Sequence, residues 1–148
     1  MADIALPALP ITGGCLCRAV RYSVNSAPIA ARQCWCRDCQ YFAAGSSTVN
    51  VIFNAADVSL TGELKTFVSK AASGNTMTRA FCPSCGTPVT SASSARPELI
   101  ILRAGTLDHT GSVTPSMNIW ISSAPHWAHL DPAIPSTPAQ PAPPPAVR

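Results

Sequence analysis

Charge is scarce in this chain, and what there is of it is scattered. Only 11% of the 148 residues are charged, and ten Lys and Arg against seven Asp and Glu give a net charge of +3. The basic residues form neither a cluster nor a stripe, which argues against a nucleic-acid footprint or an anionic membrane surface. Long apolar runs are missing too, although 47% of residues are hydrophobic and mean hydropathy is +0.19. The run "LIIL" at 99–102 stops at Arg103, far short of the ~18 residues of a membrane span. The opening "MADIALPALPITGG" lacks a basic start, carries Asp3 and is broken by Pro7 and Pro10. It does not read as a secretion signal, so residues 1–10 are expected to form a leader and the protein to be cytoplasmic. Histidine is sparse: His109, His126 and His129 stand in no HxH or HxxH spacing with a cysteine and are expected at the surface. No internal repeat is evident, and the length suits one domain.

Proline and cysteine are what the chain has in quantity. Seven of the fifteen prolines fall in "DPAIPSTPAQPAPPPAVR", which has no apolar periodicity. Residues 131–148 are therefore expected to be a disordered or polyproline tail, with the folded domain over 11–130. Inside that domain the signals are mostly strands. Val20, Tyr22 and Val24 alternate with Arg21 and Ser23, giving a half-buried strand. "STVNVIF" (47–53) is rich in β-branched residues. "LKTFVS" (64–69) and "NTMTRAF" (75–81) each follow a glycine turn and are expected to form a hairpin. "ELIILRAG" (98–105) fits a strand buried on both faces, and "MNIWIS" (117–122) a further alternating strand with Trp120 in the core. The one helix candidate is short, around Cys36–Ala44. Many short strands with glycine and proline punctuation predict an all-β, sandwich-like domain with little helix.

Seven cysteines occur as "GGCLC" (Cys15, Cys17), "CWCRDC" (Cys34, Cys36, Cys39) and "FCPSCG" (Cys82, Cys85). An odd count with CxC and CxxC spacing points to metal before disulfides. If Cys15 and Cys17 lie on a strand they face one side and can bind one metal together. In "CPSCG", Pro83 and a left-handed Gly86 suit a zinc-knuckle turn. Joining those two pairs makes a closed four-thiolate site, structural by ligand count, and leaves Cys34, Cys36 and Cys39 as a three-thiolate site with an open position. Spacing also permits the triplet to borrow Cys15 or Cys82; the four-plus-three division is preferred because it keeps each chelating pair intact. Trp35, between two of these cysteines, is expected to point away from them and to pack.

The segments "GGCLCRAVRY", "CWCRDCQ", "FCPSCGTPV", "RAGTLD" and "SAPHW" together resemble the glutathione-dependent formaldehyde-activating (GFA) family over about residues 11–130. The resemblance implies an Mss4-like all-β fold of small sheets stapled by zinc. It implies that Cys15, Cys17, Cys82 and Cys85 hold a structural zinc and that Cys34, Cys36 and Cys39 hold a catalytic one. It further implies carbon–sulfur lyase chemistry, the condensation of a thiol such as glutathione with formaldehyde or another small aldehyde. Arg32 and Arg37, flanking the triplet, would then offset its charge or meet a glutathione carboxylate. The chain departs from the family pattern at Arg18, where glycine is usual, at Trp35 in place of the histidine of "CHC", and at Asn118 in place of a late-strand histidine. These departures bear on the substrate, not on the zinc ligands. The alternative to a lyase is a non-catalytic Mss4-like zinc module that binds a protein or peptide.

Overall fold

The computed structural model describes residues 8–142. Ten strands run in chain order: β1 (Ile11–Gly14), β2 (Arg21–Val24), β3 (Ala30–Cys34), β4 (Thr48–Asn54), β5 (Val58–Thr61), β6 (Lys65–Lys70), β7 (Thr76–Phe81), β8 (Pro88–Ser93), β9 (Leu99–Arg103) and β10 (Met117–Ile119). A single α-helix among the described residues, α1 (Arg37–Phe42), lies between β3 and β4. The domain is all-β, as its strand patterning predicts.

Two sheets divide the strands. β1, β2 and β5 make a three-stranded antiparallel sheet, and the other seven pair in the order β10-β3-β4-β9-β8-β7-β6. Every pair in the large sheet is antiparallel except β10 with β3. The expected hairpin is present as β6 and β7, in register from Lys65 opposite Phe81 to Lys70 opposite Thr76. Alternation decides which side chains meet. From the small sheet Ile11, Tyr22 and Val24 are buried, and from the large one Val51, Phe53, Val89 and Leu102, all in one core that also holds Cys15 and Cys82. Burying each of these aliphatic or aromatic side chains contributes about 1.5–3 kcal/mol before the entropy of ordering the chain is counted.

The opposite face of the large sheet sets polar side chains among apolar ones. In β9, Ile100 and Leu102 serve the core, whereas Ile101 and Arg103 point to the other side, where a pocket lies. The run expected to be buried on both faces thus has the apolar core on one side and a pocket with a partly polar lining on the other.

Three expectations need correction. The CxC pair is not on a strand: β1 ends at Gly14, and Cys15–Arg18 form a tight turn in which Arg18 N donates to Cys15 O at 3.0 Å. Gly13 and Gly14 end β1 against the backbone and Tyr22, so closely that a Cβ at Gly13 would stand 2.3 Å from Thr106 O. Second, β10 stops at Ile119, because Trp120 takes a left-handed backbone (φ 58°) that no continuing strand permits. Trp120 is half-buried, packed against the small cluster of Cys34, Cys39 and Ile119, and lines the pocket. Third, the proline-rich stretch is laid along β10 as far as it is described. Pro135 O accepts from Asn118 N (2.9 Å), Thr137 N donates to Asn118 O (2.9 Å), and Pro138 O accepts from Ser122 N (3.3 Å). Proline lacks a donor but keeps its carbonyl, so prolines can accept while Thr137 donates. The rest of the expected leader and tail, residues 1–7 and 143–148, lies outside the described residues.

A carboxylate ties the small sheet to the loop after β9. Asp108 accepts from Thr12 Oγ1 (2.7 Å) and from both Nη atoms of Arg21, a forked pair. The Arg21 guanidinium, then Thr12, hold this carboxyl down to about 2. A depressed carboxyl stabilises the fold above its unfolded pKa near 4 and stops doing so as pH falls through the folded value. Asp108→Asn is expected to cost about 1 kcal/mol at neutral pH for this partly exposed pair. Denaturant midpoints of the two proteins should differ by a constant amount from pH 8 to 5 and converge below pH 4; a gap unchanged at pH 3 would contradict the assignment.

Candidate metal centres and the adjoining pocket

The seven free cysteines come together as two groups, Cys15, Cys17, Cys82 and Cys85 in one and Cys34, Cys36 and Cys39 in the other. Within each group all Sγ atoms lie within 4.8 Å of one another, and no histidine belongs to either. His109, His126 and His129 are exposed, as expected.

The first group is built from two turns of the same design. Cys15 N donates to Val20 O (3.1 Å) and Arg18 N to Cys15 O (3.0 Å); Cys82 N donates to Thr87 O (3.0 Å) and Gly86 N to Cys82 O (2.8 Å). Each turn carries a left-handed residue just after its second cysteine, Arg18 at φ 68° and Gly86 at φ 76°. Four thiolates around a tetrahedral Zn²⁺ with bonds near 2.3 Å would have sulfurs ~3.8 Å apart. The Cys15–Cys17 and Cys17–Cys82 sulfurs are 3.5 and 3.7 Å apart, so the residues present fit such an ion. The Thr87 hydroxyl beside Cys85 (3.1 Å) draws that thiol down to about 5, toward the thiolate a metal needs. The left-handed Arg18 also explains why glycine suits this position. Arg18→Gly is expected to raise stability by about 0.5–1 kcal/mol, the αL cost of an L-residue less the extra freedom of an unfolded glycine. Urea unfolding in saturating zinc would read it, and a lower midpoint would refute the strain argument.

The second group sits where β3 hands over to α1. Cys34 closes β3, Cys36 caps the helix by accepting from Cys39 N at 3.3 Å, and Cys39 lies in the first turn. Gln40 fixes this corner, donating from Nε2 to Trp35 O (2.8 Å) and Ser123 O (2.9 Å) while Oε1 accepts from Arg37 (2.7 Å). Trp35 turns away from the cysteines, is 2% exposed, and meets Trp127 edge to face with centroids 6.5 Å apart. Asn118, also fully buried, bonds Ser136 Oγ from Nδ2 (3.3 Å). Crowding of three sulfurs sets their protonation apart. Hydrogen bonds from Cys34 and Cys36, with help from Thr48 and Arg103, bring Cys39 down to about 2, while the same sulfur contacts push Cys34 far up.

This triplet opens into a pocket of about 140 Å³, and cross-strand register supplies its floor. Arg32 shares a face with Cys34, stands opposite Asn50, and Asn50 stands opposite Arg103. Ile101, two residues before Arg103, faces Ser91, and Ser91 faces Arg79. Arg79 and Arg103 are only 5% and 8% exposed. Arg103 donates to Asn50 Oδ1 and lies against Cys39, and its burial pulls its pKa down. Arg79 reaches α1, with Nη2 3.4 Å from Asp38 and its guanidinium carbon 5.0 Å from the Phe42 ring centre. Trp120 and Gln140 form a side wall, joined by a 3.0 Å bond from Nε1 to Oε1. Of the two arginines flagged by their position beside the triplet, Arg32 lines the pocket; Arg37 is exposed, stacked on Tyr41, and does not. Arg79 and Arg103 were missed, although a lone arginine inside each of two apolar strands is an uncommon signal.

No curated protein sequence matches the chain. A crystal structure of a Rhodobacter sphaeroides protein is similar in fold, with a TM-score of 0.55 at 17% identity over 85% of this chain and 99% of the other. The family model described as glutathione-dependent formaldehyde-activating enzyme matches residues 10–123, a span that takes in both cysteine groups and every strand described above. The chain therefore belongs to the glutathione-dependent formaldehyde-activating family.

Proposed function

We propose that this protein is a zinc-dependent carbon–sulfur lyase, equilibrating a thiol such as glutathione and formaldehyde, or a related small aldehyde, with their S-hydroxyalkyl adduct. Cys15, Cys17, Cys82 and Cys85 hold a structural zinc in this reading, and Cys34, Cys36 and Cys39 a catalytic one. The observation that carries it is the second cysteine group, three clustered thiols that line an open pocket. A closed scaffold site needs a fourth protein ligand and no pocket, and a purely structural module gives no reason for either departure.

In the forward direction a sulfur–carbon bond forms and the carbonyl π bond breaks. The thiol proton ends on the former carbonyl oxygen, so no oxidant or reductant is needed. A zinc ion held by the triplet would supply thiolate stabilisation and Lewis acidity. The chain's own residues set the surroundings. Three thiolates around a divalent cation leave one net negative charge, and Arg103, against Cys39, stands where it offsets that charge. Cys36 is held by the helix cap it makes, and Gln40 fixes the corner, so the three sulfurs keep their spacing without a substrate. Ile119, packed on Cys34 and Cys39, shields the inner side from water. A reducing, cytoplasmic setting suits seven cysteines that must remain thiolates.

The test is exchange between a thiol, an aldehyde and their adduct, followed by NMR line shapes on zinc-loaded protein with metal content counted. Acceleration over buffer, with two zincs per chain, is expected. Two zincs with no acceleration for glutathione or smaller thiols would sink the activity.

A further inference from the structure

The pocket holds more positive charge than the proposed chemistry with formaldehyde uses. Arg32, Arg79 and Arg103 all line it, and among the described residues no aspartate or glutamate does. Asp38 approaches only one nitrogen of Arg79, from the α1 side and at 3.4 Å. The triplet with a bound divalent ion would bring one further negative charge, beside Arg103. Three guanidinium groups against two negative centres leave one cation without a counter-charge in a largely buried setting, where unpaired charge is costly. The Nε–H groups of Arg79 and Arg103 are both buried without a hydrogen-bond partner. Asn50, Ser91 and Ser93 complete a polar floor between these arginines. Formaldehyde is neutral and has no group to meet them.

We propose that this floor is an anion subsite that holds the carboxylate of a small reactant, the thiol or the aldehyde, while the reacting end of that molecule faces Cys34, Cys36 and Cys39. The proposal rests on the lyase reading of the same pocket and names its substrate class: a short carboxylic acid bearing the reacting group a few bonds away. Two observations fix that class. Arginine forks match planar carboxylates through paired N–H donors, as Arg21 does for Asp108 elsewhere in this chain. The space next to the triplet, roughly 140 Å³, is also below the ~300–1,000 Å³ of sites that enclose drug-sized molecules, so a small reacting end fits there, while an adjoining cavity of about 370 Å³ shares Arg32, Ile52 and Gln140 with it. Arg79 and Arg103 would bind the carboxylate from the floor and Arg32 from the β3 side. Arg79 Nη1 already donates to Ser69 Oγ (3.0 Å), but a reactant lacking the carboxylate would leave the buried Nε–H donors of Arg79 and Arg103 unmet, the situation in which a polar site discriminates most strongly.

Calorimetric titration of the full chain, loaded with zinc and with its metal counted, tests this with two matched pairs. One is 3-mercaptopropionate against 2-mercaptoethanol, the other glyoxylate against glycolaldehyde. One acid is expected to bind roughly 100-fold more tightly than its neutral partner, and the pair that shows the preference identifies which reactant carries the carboxylate. Arg79→Gln, and Arg103→Gln compared at zinc content matched to wild type, should each cut that preference by ~10-fold or more. Arg103→Lys and Arg79→Lys, which keep the charge and lose the fork, should fall between and remain informative if a glutamine variant does not fold. Arg37→Gln, outside the pocket, should match wild type. Equal binding of acid and neutral members in both pairs, or a preference that survives all four pocket variants, overturns the subsite. If the neutral thiol binds and exchanges without any acid preference, the lyase reading stands and the subsite falls. An acid preference lost in the arginine variants, without thiol–aldehyde exchange, leaves the subsite and removes the lyase reading.

Discussion

Replacing Cys82 by serine should yield a chain that does not hold its fold. Cys82 is wholly buried, stands in the main core beside Cys15, and begins the turn that joins β7 to β8. Its partner pair, Cys15 and Cys17, follows β1 of the small sheet. A metal held by these four therefore ties the small sheet to the far half of the large one. Metal binding by such thiolate sites is worth about 10–16 kcal/mol in zinc-finger peptides, and whole domains are stable by about 5–15 kcal/mol. Losing one of four ligands, and burying a hydroxyl in its place, removes an amount comparable with the total. Circular dichroism should show no cooperative thermal transition for Cys82→Ser, and a chelator in excess should do the same to wild type. A Cys82→Ser protein melting cooperatively within a few degrees of wild type would refute a structural role for the group.

Cys36→Ser should behave in the opposite way. Its side chain is half-buried at the pocket and also caps α1. Serine is among the best N-cap residues, so the helix start survives the substitution. The other two triplet cysteines, packed with Ile119, remain in place. A folded protein with one zinc per chain, a melting temperature within a few degrees of wild type, and thiol–aldehyde exchange at the buffer rate is expected. Metal analysis and NMR exchange decide it. Two zincs in the variant, or exchange at the wild-type rate, would remove the triplet from the active site. The contrast between Cys82→Ser and Cys36→Ser separates a metal that folds the chain from one that works on a ligand.

How much of this can be read from the residues alone depends on the distance over which they act. β2 announces itself by local alternation, β4 by its β-branched residues, and the two cysteine groups by chelating pairs that keep together. The CxC turn was read as strand because i, i+2 spacing fits a strand and a knuckle equally well; the left-handed Arg18 that distinguishes them is a backbone property no L-residue advertises. Trp120 fits an alternating pattern until its own φ breaks it. The arginine floor lay hidden for a different reason. Arg32, Asn50, Arg103, Ser91 and Arg79 come from five strands, and only the pairing register puts them on one face. The proline-rich segment was judged by its missing donors, while its carbonyls proved sufficient to follow β10.

That segment also separates two kinds of change open to the chain. Gln140, which shares the side wall with Trp120, stands beyond residues 10–123, the span that the family model matches. All seven cysteines stand within them. Mutations along 135–140 can thus reshape a side wall of the cavity while leaving every thiol and its supporting turn untouched. Chemistry and access are encoded in different stretches of one short polypeptide, and each can drift at its own pace.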